Sequence, residues 1–216
     1  MLTFYENRTA KRSEYYVEGK LIGIRTFHPN GKVEMEEGYK VGKLHGNSYR
    51  FDDPGVLLFS TQYVEGLEHG TGYQWARDGR IIGSYEMEYG SGFDLWFDES
   101  YDDLEDRSVI LSEAREYVDG LLNGYEWWFS DGKIYIEQHY HKGELSGIER
   151  NWNDKGNLTR GCPRYWIEGL KVSRIQYLKA LKTETHLPPF RIEDNQLERV
   201  FPPIVRDNLV KKTIAE

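Results

Sequence analysis

The sequence predicts a mostly β protein: a single-layer antiparallel meander of repeated β-hairpins with a short helical C-terminal cap. Three observations lead to this prediction. Glycine is frequent, with 22 among 216 residues, and aromatic residues make up 14% of the chain. An aromatic residue stands three positions before a glycine at nearly even intervals. Short aromatic-rich segments end in turn residues, which is typical of many short strands rather than of packed helices.

The repeated element is the aromatic residue that precedes a glycine by three positions. It recurs every 23 to 30 residues, at Tyr16, Tyr39, Tyr63, Tyr117, Tyr140 and Trp166, with Met87 in the equivalent place after Tyr63. Repeats of this length are units that cannot bury their apolar face alone and must stack on neighbours. We therefore expect six to seven units in residues 1–169.

Each unit is predicted to be one β-hairpin. A second glycine, as at Gly46 or Gly124, opens a strand that ends on an aromatic residue, and a turn spelled DDPG, ARDG, SDG or NDKG follows. Asp, Asn, Pro and Gly favour the backbone conformations that reverse a chain. Alternation along the strands predicts an aromatic face and a polar face. The aromatic face would hold Tyr49, Phe51, Leu57, Phe59, Trp75, Trp127 and Phe129, and the polar face would hold Arg50, Gln74, Lys133 and Glu137.

Residues 170–216 do not follow the repeat. Val172, Ile175 and Leu178 have helical spacing, and Ser173 with Gln176 can form a capping box, so a helix is expected near Ser173. The segment DNQLERVF is a candidate for a second short helix. We expect residues 170–216 to form a helical cap and a Pro-containing tail that closes the last hairpin or lies over the aromatic face.

One unit carries an acidic insert at residues 98–106, DESYDDLED, in which six of nine residues are acidic. About eight residues more than in the regular units are expected to enlarge this hairpin turn. A solvated loop, a contact with a basic partner and cation binding are the alternatives. The spacing lacks the glycine and the glutamate of a calcium loop. The candidate partner-binding residues are Asp98, Glu99, Asp102, Asp103, Glu105 and Asp106.

Charge is distributed unevenly along the chain. Residues 170–216 hold nine Lys or Arg and six Asp or Glu, so this tail is +3, whereas residues 1–169 hold 19 and 30 and are −11. A strongly acidic body repels phosphate backbones and anionic lipid and attracts basic proteins. Nucleic acid and membrane are therefore disfavoured as direct ligands. A single cysteine, Cys162, and an N-terminus without a signal pattern predict a cytoplasmic protein.

The unit Tyr-x-x-Gly-x-x-x-Gly-x-x-x-x-Trp/Phe-x-x-x-Gly, as in YKVGKLHGNSYRFDDPG and YHKGELSGIERNWNDKG, resembles the bacterial variant of the MORN repeat found in YwqK-type antitoxins. The resemblance covers residues 13–169, and WIEGLKVSRIQYLKALK resembles the tail that closes such arrays. It implies a single-layer β-sheet used for protein contacts, often in an antitoxin or immunity protein. The acidic insert and the basic tail have no counterpart in that pattern.

Trp96 and Trp128 are the remaining candidates for partner binding, because both fall on the predicted polar face. The alternative is that the C-terminal segment covers them. His45 and His69 share one slot in consecutive units, and this recurrence explains them better than a metal pair. His139 and His141 are expected to be exposed, and Cys162 to have no catalytic role. No catalytic motif, metal site or cofactor site is predicted.

These patterns predict a non-enzymatic module that binds another, basic protein, as an antitoxin or immunity protein would. A scaffold or membrane-associated adaptor that uses the cationic tail is one alternative, which liposome flotation would test. A glycan-binding or carbohydrate-active protein that uses Trp96 and Trp128 to stack a sugar is the other.

Overall fold

The chain folds as a mostly β protein, an antiparallel meander of hairpins with two short helices near the C-terminus, as predicted. The computed structural model describes the backbone of residues 1–103, 106–209 and 212–213, and the side chains of residues 1–99 and 108–209. The residues form two compact units, Met1–Ser91 and Gly92–Glu216. The predicted boundary after residue 169 falls inside the second unit, in the turn of the last hairpin, whose return strand is Leu170–Val172.

The first unit consists of hairpin strands that pair with their neighbours in chain order. They are β1 (Leu2–Phe4), β2 (Ala10–Val17), β3 (Lys20–Phe27), β4 (Val33–Lys40), β5 (Lys43–Phe51), β6 (Leu57–Val64), β7 (Leu67–Glu68), β8 (Gly70–Trp75) and β9 (Ile81–Glu88).

The second unit continues the same pattern and adds the helices. Its elements are β10 (Ser91–Asp103), β11 (Asp106–Val118), β12 (Leu121–Ser130), β13 (Lys133–His141), β14 (Glu144–Leu145), β15 (Gly147–Asn151), β16 (Arg164–Ile167), β17 (Leu170–Val172), α1 (Arg174–Ala180), α2 (Pro203–Arg206) and β18 (Lys212–Thr213).

The first glycine of the repeat lies in a tight turn that requires positive φ. Val41 and Gly42 both have positive φ, 51° and 76°, and they join β4 to β5 through the pair Lys40↔Lys43. Two consecutive positive φ values define the two-residue type I′ turn, whose twist matches that of the strands it connects. The same conformation recurs before each repeat glycine: Glu18–Gly19, Glu65–Gly66, Tyr89–Gly90, Asp119–Gly120, Lys142–Gly143 and Glu168–Gly169.

A β-bulge interrupts the alternation where each long hairpin nears its wider turn. Arg50 pairs with Phe59, but the next residue, Phe51, pairs with Leu57. Because cross-strand partners share a face and adjacent residues do not, Phe59 lies on the face of Arg50 while Leu57 lies on the face of Phe51. The prediction that Leu57 and Phe59 share a face is therefore wrong.

The corresponding bulge in the second unit, between Trp128 and Phe129, moves Glu137 to the aromatic face. Glu137 pairs with Trp127, and Trp127 Nε1 donates to Glu137 Oε2 at 3.1 Å. The prediction that Glu137 lies on the polar face is thus wrong, because the extra residue inverts the alternation along β13.

The acidic insert lengthens two strands instead of enlarging a turn. Both β10 and β11 are 13 residues long, and they pair from Gly92↔Tyr117 to Asp103↔Asp106. The predicted enlarged turn is therefore wrong, because Asp98, Glu99, Ser100 and Asp103 continue the ladder with β11. Near this end, Val109 of β11 also pairs with Lys212 of β18.

The C-terminal segment covers one face of the second unit. The helix predicted near Ser173 is confirmed, with the Ser173 and Gln176 capping box formed at the start of α1. In the segment predicted as a second helix, only a 3-10 turn at Glu193–Asn195 forms, and α2 lies further on. Tyr177 and Leu187 pack on Ile148 and Tyr165 in a buried cluster.

Further along, Phe201 of the C-terminal segment contacts Trp127 and Phe129 edge-on, both at 5.4 Å between ring centroids. We call the side of the sheet that carries Trp127, Phe129, Glu137, Ile148 and Arg150 the covered face. The segment lies over the aromatic face, as the sequence predicted.

We expect Phe129→Ala to lower the free energy of unfolding by about 3–5 kcal/mol, because its ring is 4% exposed and packs against Phe201. Trp128→Ala, one residue earlier and on the opposite face, is the matched control and should cost less, since that indole is 37% exposed. Denaturant melts measure both changes. An unchanged midpoint for Phe129→Ala would show that the covered face is not the core.

Candidate protein-binding surface

Trp96 and Trp128 lie on the side of the second unit that faces away from the C-terminal segment. Trp96 pairs with Glu113 across β10 and β11, and Glu113 pairs with Trp128 across β11 and β12. The two indoles therefore stand on either side of one carboxylate, with backbones about 10 Å apart at two strand spacings. We call this side of β10 to β13, defined by Trp96, Glu113 and Trp128, the indole face.

A second row of polar residues runs beside the indoles, formed by the cross-strand pairs Asp94↔Arg115 and Arg115↔Glu126. Asp94 Oδ2 accepts a hydrogen bond from Trp96 Nε1 at 3.0 Å and another from Arg115 Nη2. The Arg115 guanidinium also lies 5.4 Å from the ring centroid of Trp96. This row fixes the orientation of Trp96, since its ring is held through both its N–H group and its face.

Arg115 neutralises only part of the negative charge around it. Burial opposes its charged form, but Asp94 and then Glu113 more than offset this, so the pKa of Arg115 is raised. Its Nε lies 3.5 Å from Glu113 Oε1. One guanidinium thus stands among three carboxyl groups, those of Asp94, Glu113 and Glu126, and the row stays acidic whenever these are ionised.

Glu113 and Glu126 form a hydrogen-bonded pair of carboxyl groups. The pKa of Glu113 is raised to about 7, mainly by burial. The hydrogen bond and the charge of Glu126 also raise this pKa, whereas the charge of Arg115 lowers it. Near neutral pH the carboxyl group of Glu113 is therefore protonated for part of the time. The neighbouring hydroxyl of Tyr140 has a pKa raised by burial and by Glu126.

The acidic residues of this face recur in one slot, two positions after the second glycine of the repeat. Asp94 follows Gly92 in this way, Glu126 follows Gly124, and Glu149 follows Gly147. Glu149 accepts from Arg164 Nη1 at 2.6 Å and from Trp166 Nε1 at 2.9 Å, the same pair of donor types that Asp94 has. None of these three residues was among the predicted site residues, although their recurrence two positions after a glycine is visible in the sequence.

Glu113 and Arg115 could not be placed from the sequence. Both lie on the returning strand β11, where the register shifts between Trp96 and Phe97. Without the position of that bulge, the face on which a residue of β11 lies is ambiguous.

The structure separates the other predicted partner-binding residues. Asp98 is exposed and pairs with Ile110, two residues beyond Trp96 on the indole face, whereas Glu99 pairs with Val109 and lies on the opposite face. Asp102, Asp103 and Asp106 belong to the strand ends, where the structure describes the backbone only. Glu105 lies outside the described residues. The predicted group is therefore not one patch.

The C-terminal segment does not cover the two indoles. Its contacts with the sheet are on the covered face, and Trp128 is 37% exposed. The alternative in which the tail buries this pair is therefore wrong for Trp128. Trp96 is half-buried by its own neighbours, Asp94 and Arg115.

Three of the histidines, His69, His139 and His141, have structural partners. His69 stacks on Tyr89 at 4.2 Å between ring centroids. His139, predicted to be exposed, is buried; its Nδ1 lies 2.6 Å from the carbonyl of Ser146, and burial lowers its pKa. His141 stacks on His186 of the C-terminal segment. Among the described residues, no group of three His, Cys, Asp or Glu is placed to hold a metal ion.

Comparisons with known proteins give no assignment. No protein-family model matches the chain, and no curated protein is significantly similar to it in sequence. Within the part of the chain that the structure describes, no helix has the length and apolar character needed to cross a membrane. The function is therefore inferred from the geometry of the indole face and from the repeat.

We expect stability to fall as pH rises from 4.5 to about 7, because folding raises the pKa of Glu113 across this range and the folded state binds the extra proton. Glu113→Gln removes this carboxyl, so the variant should lose that part of the slope and be more stable than the wild type above pH 7. The gain is at most about 3 kcal/mol and is reduced by the solvent that reaches the group.

Denaturant melts from pH 4 to pH 8 measure the slope. Glu88→Gln removes an exposed carboxylate of the first unit and serves as the control. Identical pH profiles for the wild type and Glu113→Gln would contradict the raised pKa of Glu113.

Proposed function

We propose that the chain is a non-enzymatic protein-binding module, of the antitoxin or immunity type that its MORN-like repeat suggests, and that the indole face binds the partner. The observation that carries the proposal is the exposure of Trp128 beside an acidic row, on the side that the chain's own C-terminal segment leaves free. Exposed aromatic residues fixed by polar neighbours are typical binding hot spots.

The indole face suits a partner with basic side chains. Trp128 can insert into an apolar pocket or stack on a guanidinium, and the partly exposed carboxyl group of Glu113 beside it can pair with Lys or Arg. Asp94 and Glu126 are buried, so they contribute negative potential rather than direct contacts. Because Asp94 and Arg115 already hold Trp96, this ring is oriented before the partner arrives.

Occlusion is the proposed mechanism. A toxin that acts on nucleic acid or another anion has a basic active face, which an acidic surface complements and covers. The charge of −11 over residues 1–169 accelerates the encounter at low salt. The same charge disfavours nucleic acid as a direct ligand, and we place the protein in the cytoplasm, where such a toxin would act on its host.

The long hairpin β10–β11 extends the same acidic surface. Asp98 continues the indole face beyond Trp96, and the residues that follow keep the strand acidic to its end. We propose that this extension steers the partner towards the indoles, since charge at the rim of an interface affects the association rate more than the dissociation rate.

A glycan-binding surface is the second candidate, because two indoles flank carboxyl groups on one sheet face. Glu113 lies between the two indoles, so a sugar ring stacked on Trp128 would have a carboxyl group beside it to accept from its hydroxyl groups. A glycan array without a binder would end this alternative.

We expect Trp128→Ser to abolish co-purification of the partner, because the central exposed anchor of the surface is lost. Affinity-tagged chain is expressed in the native cell, and bound polypeptides are compared at low and high salt. Tyr73→Ser, at an aromatic residue of the first unit that is equally exposed at 37%, is the matched control and should keep the partner. Failure of any polypeptide to co-purify with the wild type at any salt would count against the proposal, as would retention by Trp128→Ser.

Replacing Asp98, Glu99, Asp102, Asp103, Glu105 and Asp106 by Ser should leave the fold intact or slightly more stable, since like charges no longer repel one another. Partner binding should weaken, mainly through slower and less salt-sensitive association. Surface plasmon resonance at several salt concentrations measures both properties. A wild-type rate and salt slope would mean that the acidic hairpin end is only solvated.

A further inference from the structure

A cavity of about 410 Å³ lies between the covered face and the C-terminal segment. Its sheet side is formed by Tyr125 and Trp127 of β12 and by Glu137 of β13, and its outer side by the segment from Pro189 to Phe201. This volume is within the range of small-molecule sites, and a site between a sheet and an overlying segment is a usual position for one. The cavity has no part in the proposed contact with a protein, which uses the opposite face.

The apolar walls of the cavity are aromatic. The rings of Tyr125 and Trp127 are stacked, 5.1 Å apart and 7° from parallel, and Phe201 meets Trp127 edge-on at 90°. Burial raises the pKa of Tyr125 to about 12, so its hydroxyl stays neutral at physiological pH. Flat walls of this kind favour a planar, apolar ligand body.

The polar wall contains a buried ion-pair network. Glu137 accepts from two buried guanidinium groups: Arg150 Nη1 donates to its Oε1 at 2.6 Å, and Arg199 Nε donates to its Oε2 at 3.1 Å. The side chains of Arg150 and Arg199 are only 3% and 8% exposed. Asp194 is the second anion of this network, since an uncompensated buried charge is strongly destabilising.

Two of the guanidinium nitrogens are left without an acceptor. Arg199 lines the cavity, and its Nη2 is buried and makes no hydrogen bond to the described residues. The same is true of Nη2 of Arg150. The nearest carboxylate, Asp194, is 3.8 Å from Arg150 Nη2, beyond hydrogen-bonding distance. Buried N–H donors of a charged group are rarely left unpaired, so these nitrogens indicate a missing acceptor.

We propose that this cavity binds a small planar monocarboxylate, with its ring against Tyr125, Trp127 and Phe201 and its carboxylate paired with Arg199. The ligand carboxylate supplies the hydrogen-bond acceptor that Arg199 Nη2 lacks among the described residues. Glu193, Asp194 and Glu198 also line the cavity, and they repel ligands with several negative charges such as nucleotides or polyphosphates. The ligand class is therefore an aromatic or other flat acid with a single charge.

Isothermal titration calorimetry of the full chain with 2-naphthoate tests the proposal, and the neutral isostere 2-naphthamide tests the role of charge. We expect measurable binding of the acid and at least about tenfold weaker binding of the amide, because a charge-assisted hydrogen bond is lost. No heat from 2-naphthoate up to millimolar concentration, or equal affinity for the amide, would overturn the proposal.

Variants locate the site. Arg199→Met keeps an unbranched apolar side chain but removes the guanidinium, which lies 5.2 Å from the ring centroid of Trp152, and it should weaken 2-naphthoate binding by about tenfold to a hundredfold. Arg206→Met, at an exposed arginine of α2, is the matched control and should bind as the wild type does. Unchanged affinity in a folded Arg199→Met would contradict the assignment.

A second variant keeps the proposal falsifiable if Arg199→Met does not fold. Glu198→Gln removes one of the acidic groups at the cavity while leaving Arg199 and Glu137 in place, so 2-naphthoate should bind several-fold more tightly. Weaker or unchanged binding by Glu198→Gln would contradict a site that selects by charge.

Discussion

The carboxylate of Glu137 connects the sheet to the C-terminal segment. It accepts hydrogen bonds from Trp127 on its own sheet, from Arg150 on the next strand, and from Arg199 of the segment. A single-layer sheet has too little depth to bury these groups by itself. The segment supplies both the second wall and the second cation, so the burial of the aromatic residues depends on this one acidic side chain.

The covering of one face determines what the other can do. Along β12 the residues alternate, so that Glu126 and Trp128 project from the indole face while Trp127 and Phe129 project from the covered face. The buried aromatic packing is on one side of the strand, and the other side keeps Trp128 and the neighbouring side chain of Glu113 in reach of solvent. One short strand therefore serves stability and recognition together.

The repeat predicted the fold well because it is local. Each aromatic-x-x-Gly step marks a two-residue turn, and the helix at Ser173 follows from its capping pattern. The faces were predicted less well, since one bulged residue exchanges the two sides of a strand, as it does for Phe59 and Glu137. The site could be predicted only in part. Trp96 and Trp128 stand out in the sequence, whereas Glu113 lies between them because of a strand register that the sequence does not show.

The hydrogen bond between Glu137 and Arg199 also sets an order of assembly. Hairpins pair residues close in sequence, so each can form as soon as its two strands have left the ribosome. Glu137 and Arg199 are 62 residues apart, and the strand carrying Glu137 is complete long before its second cation is synthesised. Until then the aromatic rings around Trp127 are open to water and to other chains. The meander is therefore most vulnerable to aggregation during the interval between the synthesis of Glu137 and that of Arg199 and Phe201.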